Sequence, residues 1–131
     1  MRRLVLPLVA VVLAAGCGDT EPDAYKPAPT AQCLRQDGYQ VTTDPADIHF
    51  VAANSEYGGL LARKPGNAVQ IAFGRDGDDA LGVAQGFRRF APKKLRPHID
   101  DVLRIQKNAV LLWTVTPPRE EMEAAFDCLK G

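Results

Sequence analysis

Two stretches of this chain switch from a two-residue to a three-to-four-residue apolar period, and that switch constrains the fold more than any other feature. In Ala68 to Phe73, the residues Val69, Ile71 and Phe73 alternate onto one face of a strand. Asp78 to Phe90 then carries Leu81, Ala84, Phe87 and Phe90 at helical spacing, which predicts a helix with these four on its inner stripe. Upstream, Gly59 to Arg63 reads as a partner strand joined through the turn Lys64-Pro65-Gly66-Asn67. The same order returns: Val102 to Gln106 and Ala109 to Val115 read as a second hairpin. Arg119 to Leu129 follows as a helix with Met122, Ala125, Phe126 and Leu129 inward, capped by Thr116 and entered through Pro117 and Pro118.

At an offset of 41 residues Asn67-Ala68-Val69 falls on Asn108-Ala109-Val110, Ile71 on Leu112, Leu81 on Met122 and Ala84 on Ala125. Two strand-strand-helix repeats are one reading; few, apolar matches imposed by similar secondary structure are the other. Either way each hairpin has one apolar face and each helix one apolar stripe to bury. The expectation is an α+β fold, a two-layer sandwich of a mainly antiparallel sheet with helices on one face. Ahead of these units, Ala31 to Asp37 reads as a short helix capped by Thr30 and stopped by Gly38, and Tyr39 to Thr43 as a strand. Asp44-Pro45-Ala46-Asp47 carries helix-start signals, predicting a turn or two of helix over Pro45 to Ala53.

The first residues belong to a different kind of segment. Arg2 and Arg3 precede an uncharged apolar run from Leu4 to Ala15, which ends in Leu13-Ala14-Ala15-Gly16-Cys17. The run is about a dozen residues where a bilayer span needs roughly 20. This segment, over residues 1–17 only, resembles the lipobox signal peptide of bacterial lipoproteins. The resemblance implies that residues 1–16 are removed and that Cys17 becomes a lipidated first residue. That would place the protein at the cell membrane, lipid-anchored on the extracytoplasmic face; an ordinary cleaved secretory signal shares most of these features. Two acyl chains make such attachment durable where one does not.

With the leader gone, the 16 basic residues lose Arg2 and Arg3, so 14 remain against 16 acidic ones. A net charge near −2 gives no electrostatic basis for nucleic-acid binding. The remaining length, residues 17–131, suits one domain and is short for two. Residues 17–29 hold three prolines and no apolar periodicity, which predicts a lipidated N-terminus and flexible tether before a single domain over residues 30–131; the alternative is packing along the domain with Tyr25 as an anchor. Of three cysteines, the lipobox resemblance implies that lipidation would take Cys17. Cys33 and Cys128 then remain near the two ends of the domain, and outside the cytoplasm they are expected to form a disulfide.

The sequence carries few groups arranged for chemistry. The single serine, Ser55, lies in Ala53-Asn54-Ser55-Glu56-Tyr57 without a nucleophile elbow. The pairs Asp78-Asp79, Asp100-Asp101 and Glu120-Glu121 are adjacent in sequence and do not share a face, and two of them sit at helix starts, where acids complement the dipole. Gly74-Arg75-Asp76-Gly77-Asp78-Asp79 lacks the alternating ligands and terminal Glu of a calcium loop. No catalytic residue, metal site or cofactor is assigned. One cluster stands out: residues 88–98 contain Arg88, Arg89, Lys93, Lys94, Arg96 and His98. On a tethered domain these could contact anionic lipid or an acidic polymer; a solvated helix end and loop is the plainer reading. The expected function is a non-enzymatic binding or structural module with an unassigned envelope protein or ligand as partner. The alternatives are an anionic-surface binder through residues 88–98 and an enzyme of unrecognised type.

Overall fold

The structure is a computed structural model that describes residues 23–131; the lipobox, Cys17 and the first part of the expected tether lie outside the described residues. Five strands form one antiparallel sheet: β1 (Gln40–Thr42), β2 (Gly59–Lys64), β3 (Asn67–Phe73), β4 (Leu103–Gln106) and β5 (Ala109–Trp113), in the order β1-β2-β3-β5-β4. The helices are α1 (Pro27–Gln36), α2 (Phe50–Ala53), α3 (Gly77–Phe90), α4 (Ile99–Val102) and α5 (Arg119–Leu129). The chain is thus an α+β protein with an antiparallel sheet sandwiched against helices. Two hairpins are closed by two-residue turns. Gly66 supplies the left-handed backbone of the first at φ +87°, and Lys107 adopts φ 55° in the second, an uncommon conformation for a residue with a Cβ.

Register decides which side chains share a face, because residues directly opposite one another in antiparallel strands project the same way. Leu60, Ile71 and Leu111 are in line, as are Ala62, Val69 and Trp113; Leu61, Gln70 and Leu112 project to the other side. The first face is covered by α5, whose Phe126 ring meets Trp113 at 6.3 Å, with α1 packed beside it. The second face is covered by α2 and α3. Gln70 Oε1 accepts from the His49 backbone N–H at 3.2 Å, Ala52 lies over Gly59, and the His49 ring stands 5.4 Å from that of Phe87.

The helices therefore occupy both faces of the sheet, where the sequence predicted one. The cause is visible in β5, whose Ala109-Val110-Leu111-Leu112-Trp113 is buried at every position. A strand covered on both sides reads as a continuous apolar run rather than an alternation. The duplication fails on the same ground. Since α3 and α5 lie on opposite faces, no single rotation carries one strand-strand-helix unit onto the other. Val69, Ile71 and Phe73 point away from Phe87 rather than toward it.

Local differences follow from particular residues. Helix α1 begins at Pro27, so Thr30 is inside it rather than at its cap, and its hydroxyl donates to the Lys26 carbonyl at 2.9 Å. Asp44 accepts from the Ala46 N–H at 3.0 Å in a separate turn, and helix resumes only at Phe50, where His49 Nδ1 accepts from the Val51 N–H. Helix α3 buries Ala80, Ala84 and Phe87, while Leu81 and Phe90 are 56% and 45% exposed. Helix α5 buries Ala125, Cys128 and Leu129 and starts after Pro118 with no side-chain cap, so Thr116 does not serve as one.

Residues 23–29, which were expected in the tether, are held on the domain. Asn108 Oδ1 accepts from the Tyr25 N–H at 2.7 Å, and its Nδ2 donates to the Tyr25 carbonyl at 3.0 Å and the Gly74 carbonyl at 2.8 Å. Asn108 is fully buried, and Ala24 is buried with it. From Asp23 onward the chain is packed on the domain, with Tyr25 as the anchor.

An exposed aromatic and basic patch as candidate functional site

Where α2 meets the C-terminal half of α3, the second face of the sheet carries an aromatic cluster. The His49 and Phe50 rings stack at 4.8 Å, and Phe50 meets Phe90 edge-on at 5.1 Å. His49 fixes the seam: Nδ1 accepts from the Val51 N–H at 3.2 Å, and Nε2 lies 3.1 Å from the Phe90 carbonyl and donates to it. With one ring nitrogen accepting and the other donating, the imidazole ties α2 to the end of α3. Gly86 brings the helices close, since a Cβ there would sit 3.3 Å from Val51 Cγ1. Phe87 is fully buried beneath the seam, whereas Phe50 remains 53% exposed beside Phe90.

The sequence cluster over residues 88–98 begins in the last turn of α3 at this seam and continues into the loop beyond, and the structure divides it by role. Arg88 is ion-paired with Asp100, and Arg96 Nε donates to the Ala91 carbonyl at 2.9 Å, fastening the loop to the helix end. Both are engaged in the fold. Arg89 lies 5.3 Å from the Phe90 ring, and Lys93 and Lys94 are exposed. These three cations form no salt bridge among the described residues. Phe50 and Phe90 were not legible as surface groups. Phe90 fits the α3 apolar spacing, and only the covering of the second sheet face by α2 reveals that the stripe turns toward Ala80.

Cys33 and Cys128 form a disulfide between α1 and α5, with Cα atoms 5.3 Å apart. Asp37 Oδ2 lies 3.4 Å from Cys128 Sγ, but both sulfurs are taken up by the bond, so this cluster offers no thiolate to a metal. The remaining chemical candidates have structural roles. Ser55 Oγ donates to the Val51 carbonyl at 2.8 Å. Asp76 Oδ1 accepts from the Asp79 N–H at 2.8 Å and Asp79 Oδ2 from the Arg75 N–H at 2.7 Å, closing the strand-to-helix turn before α3. Asp100-Asp101 and Glu120-Glu121 occupy the first turns of α4 and α5.

On the opposite face, Tyr39 is half-buried with Lys64 Nζ 4.2 Å from its ring centre. Burial, reinforced by the carboxylates of Glu121 and Asp37, raises its phenol above the ordinary value of 10.0. A shallow cleft of about 370 Å³ beside β1, lined by Gln40, Thr42, Asp47, Leu61 and Arg63, is open and largely polar. Among the described residues no helix is long and apolar enough to cross a membrane. No protein-family model, curated protein or solved structure matches the chain.

Proposed function

We propose that the protein is a lipid-anchored, extracytoplasmic domain that acts by binding rather than by catalysis, attached to the cell membrane through Cys17. The observation that carries this reading is the distribution of its three cysteines. Cys33 and Cys128 are bonded to each other, which suits an oxidising compartment, and the third stands behind Leu13-Ala14-Ala15-Gly16. The binding role is supported by the exposed, mutually packed Phe50 and Phe90 with the exposed cations Arg89, Lys93 and Lys94 close by in the chain. Fractionation tests the reading: the parent chain should sediment with membranes and enter solution with detergent, and Cys17→Ala should lose this behaviour. A Cys17→Ala chain that stays on the membrane would contradict it.

A further inference from the structure

Resting on that membrane-associated reading, we infer that the seam between α2 and α3 docks on an anionic bilayer surface, with Phe50 and Phe90 entering the headgroup region and Arg89, Lys93 and Lys94 facing lipid phosphates. The chemistry of the seam selects this partner. Two edge-to-face aromatic rings, 53% and 45% exposed, sit beside three cations that have no anionic partner among the described residues. Aromatic bodies with basic groups at their rim are the composition of interfacial segments, where the rings leave water and the cations meet anionic lipid. An acidic soluble polymer would engage the cations alone and gain nothing from the rings. The acids of the same loop do not cancel the charge: Asp100 is held by Arg88, which leaves Asp101 against Arg89, Lys93 and Lys94.

The placement of the patch fits a second point of attachment. Lys107 Nζ donates to the Asp23 carbonyl at 2.7 Å, and the Lys107 carbonyl would lie 3.8 Å from a Cβ at Gly77, the first residue of α3. Asp23 is therefore at the N-terminal end of α3 and the patch at its C-terminal end, about 20 Å away by helical rise. The six steps from Cys17 to Asp23 reach at most about 20 Å. An acyl group at Cys17 and the patch are thus close enough to meet one bilayer. Cations at the patch add to the anchor without replacing it.

The test uses residues 17–131 with Cys17→Ser, which carries no acyl group, and vesicles of phosphatidylglycerol with phosphatidylcholine against vesicles of phosphatidylcholine alone. Co-sedimentation should show binding to the anionic vesicles at least about tenfold tighter than to the neutral ones. It should be lost near 1 M salt, where the Debye length falls to about 3 Å. Phe50→Ser with Phe90→Ser should weaken binding about tenfold or more, the scale of two half-exposed rings returned to water, about 1.5–3 kcal/mol together. The surface variant Arg89→Glu, Lys93→Glu, Lys94→Glu, which leaves the aromatic packing intact, should abolish it. Equal binding by the serine variant, equal affinity for neutral vesicles, or capture by soluble polyphosphate that is indifferent to Phe50 and Phe90 would overturn the proposal. Because no acyl group is present, each of those failures leaves the Cys17 anchor standing, and loss of the anchor is read only by fractionation.

Discussion

Removing the Cys33–Cys128 bond should cost this domain a large share of its stability without changing its folded architecture. The bond joins positions 95 residues apart, the first helix to the last. Its removal returns to the unfolded chain the freedom of an open loop of that length. In the chain-entropy description this amounts to about 4.7 kcal/mol at 25 °C, and native disulfides removed from small secreted domains typically cost about 2–5 kcal/mol. The folded side of the balance changes little. Cys128 is buried and Cys33 half-buried, and Ala31, Leu34, Ala125 and Leu129 still hold α1 and α5 to the core. Cys33→Ala with Cys128→Ala avoids a stray thiol. Trp113 is the chain's single tryptophan, 2% exposed and 6.3 Å from Phe126, so its fluorescence reports the loss of the α5 layer directly. Urea unfolding of the parent and the double variant should give a difference of about 2–5 kcal/mol. A loss below about 1 kcal/mol would show that the unfolded ensemble is already restricted, and would refute the loop-entropy reasoning.

Gly59→Ala should destabilise the domain by at least about 1–3 kcal/mol in the same assay, because the added Cβ would lie 2.5 Å from the Ile71 carbonyl oxygen and 2.7 Å from Ala52 Cβ. Asn108→Ala leaves the Tyr25 N–H and the Tyr25 and Gly74 carbonyls without their partner; it should cost at least about 2 kcal/mol and speed proteolysis near Tyr25. Tyr39 binds its proton more tightly in the folded than in the unfolded chain. Its contribution to stability is therefore complete below pH about 10 and is lost as pH rises through the raised folded value, a dependence that Tyr39→Phe should remove in alkaline unfolding curves.

The elements were legible where a single period ruled a segment. Both hairpins, the Pro65-Gly66 turn, α3 and α5 could be read because alternation and helical spacing follow one another there without interruption. The sandwich's third layer could not be read in the same way. Alternation reports one covered face, and the sign of two is the loss of alternation, present in the five apolar residues of β5 but easily taken for an ordinary strand. Leu81 and Phe90 satisfy the helical spacing as well as Ala80 does, so only packing against α2 decides which side of α3 is inward. The same ambiguity hid the patch. Its cations were evident from residues 88–98, but the aromatic half depends on Phe50 meeting Phe90 across 40 residues of chain. Tyr25 was legible as an anchor in the alternative to a tether, but its holding group, a buried asparagine 83 residues away, was not.

The central claim is attachment through Cys17, and the intact mass of the protein extracted from native membranes tests it most directly. The expected species is a chain lacking residues 1–16, with a diacylglyceryl group on Cys17 and two hydrogens missing for the Cys33–Cys128 bond. A product cut elsewhere, or one that begins at Cys17 with a free thiol, would contradict it.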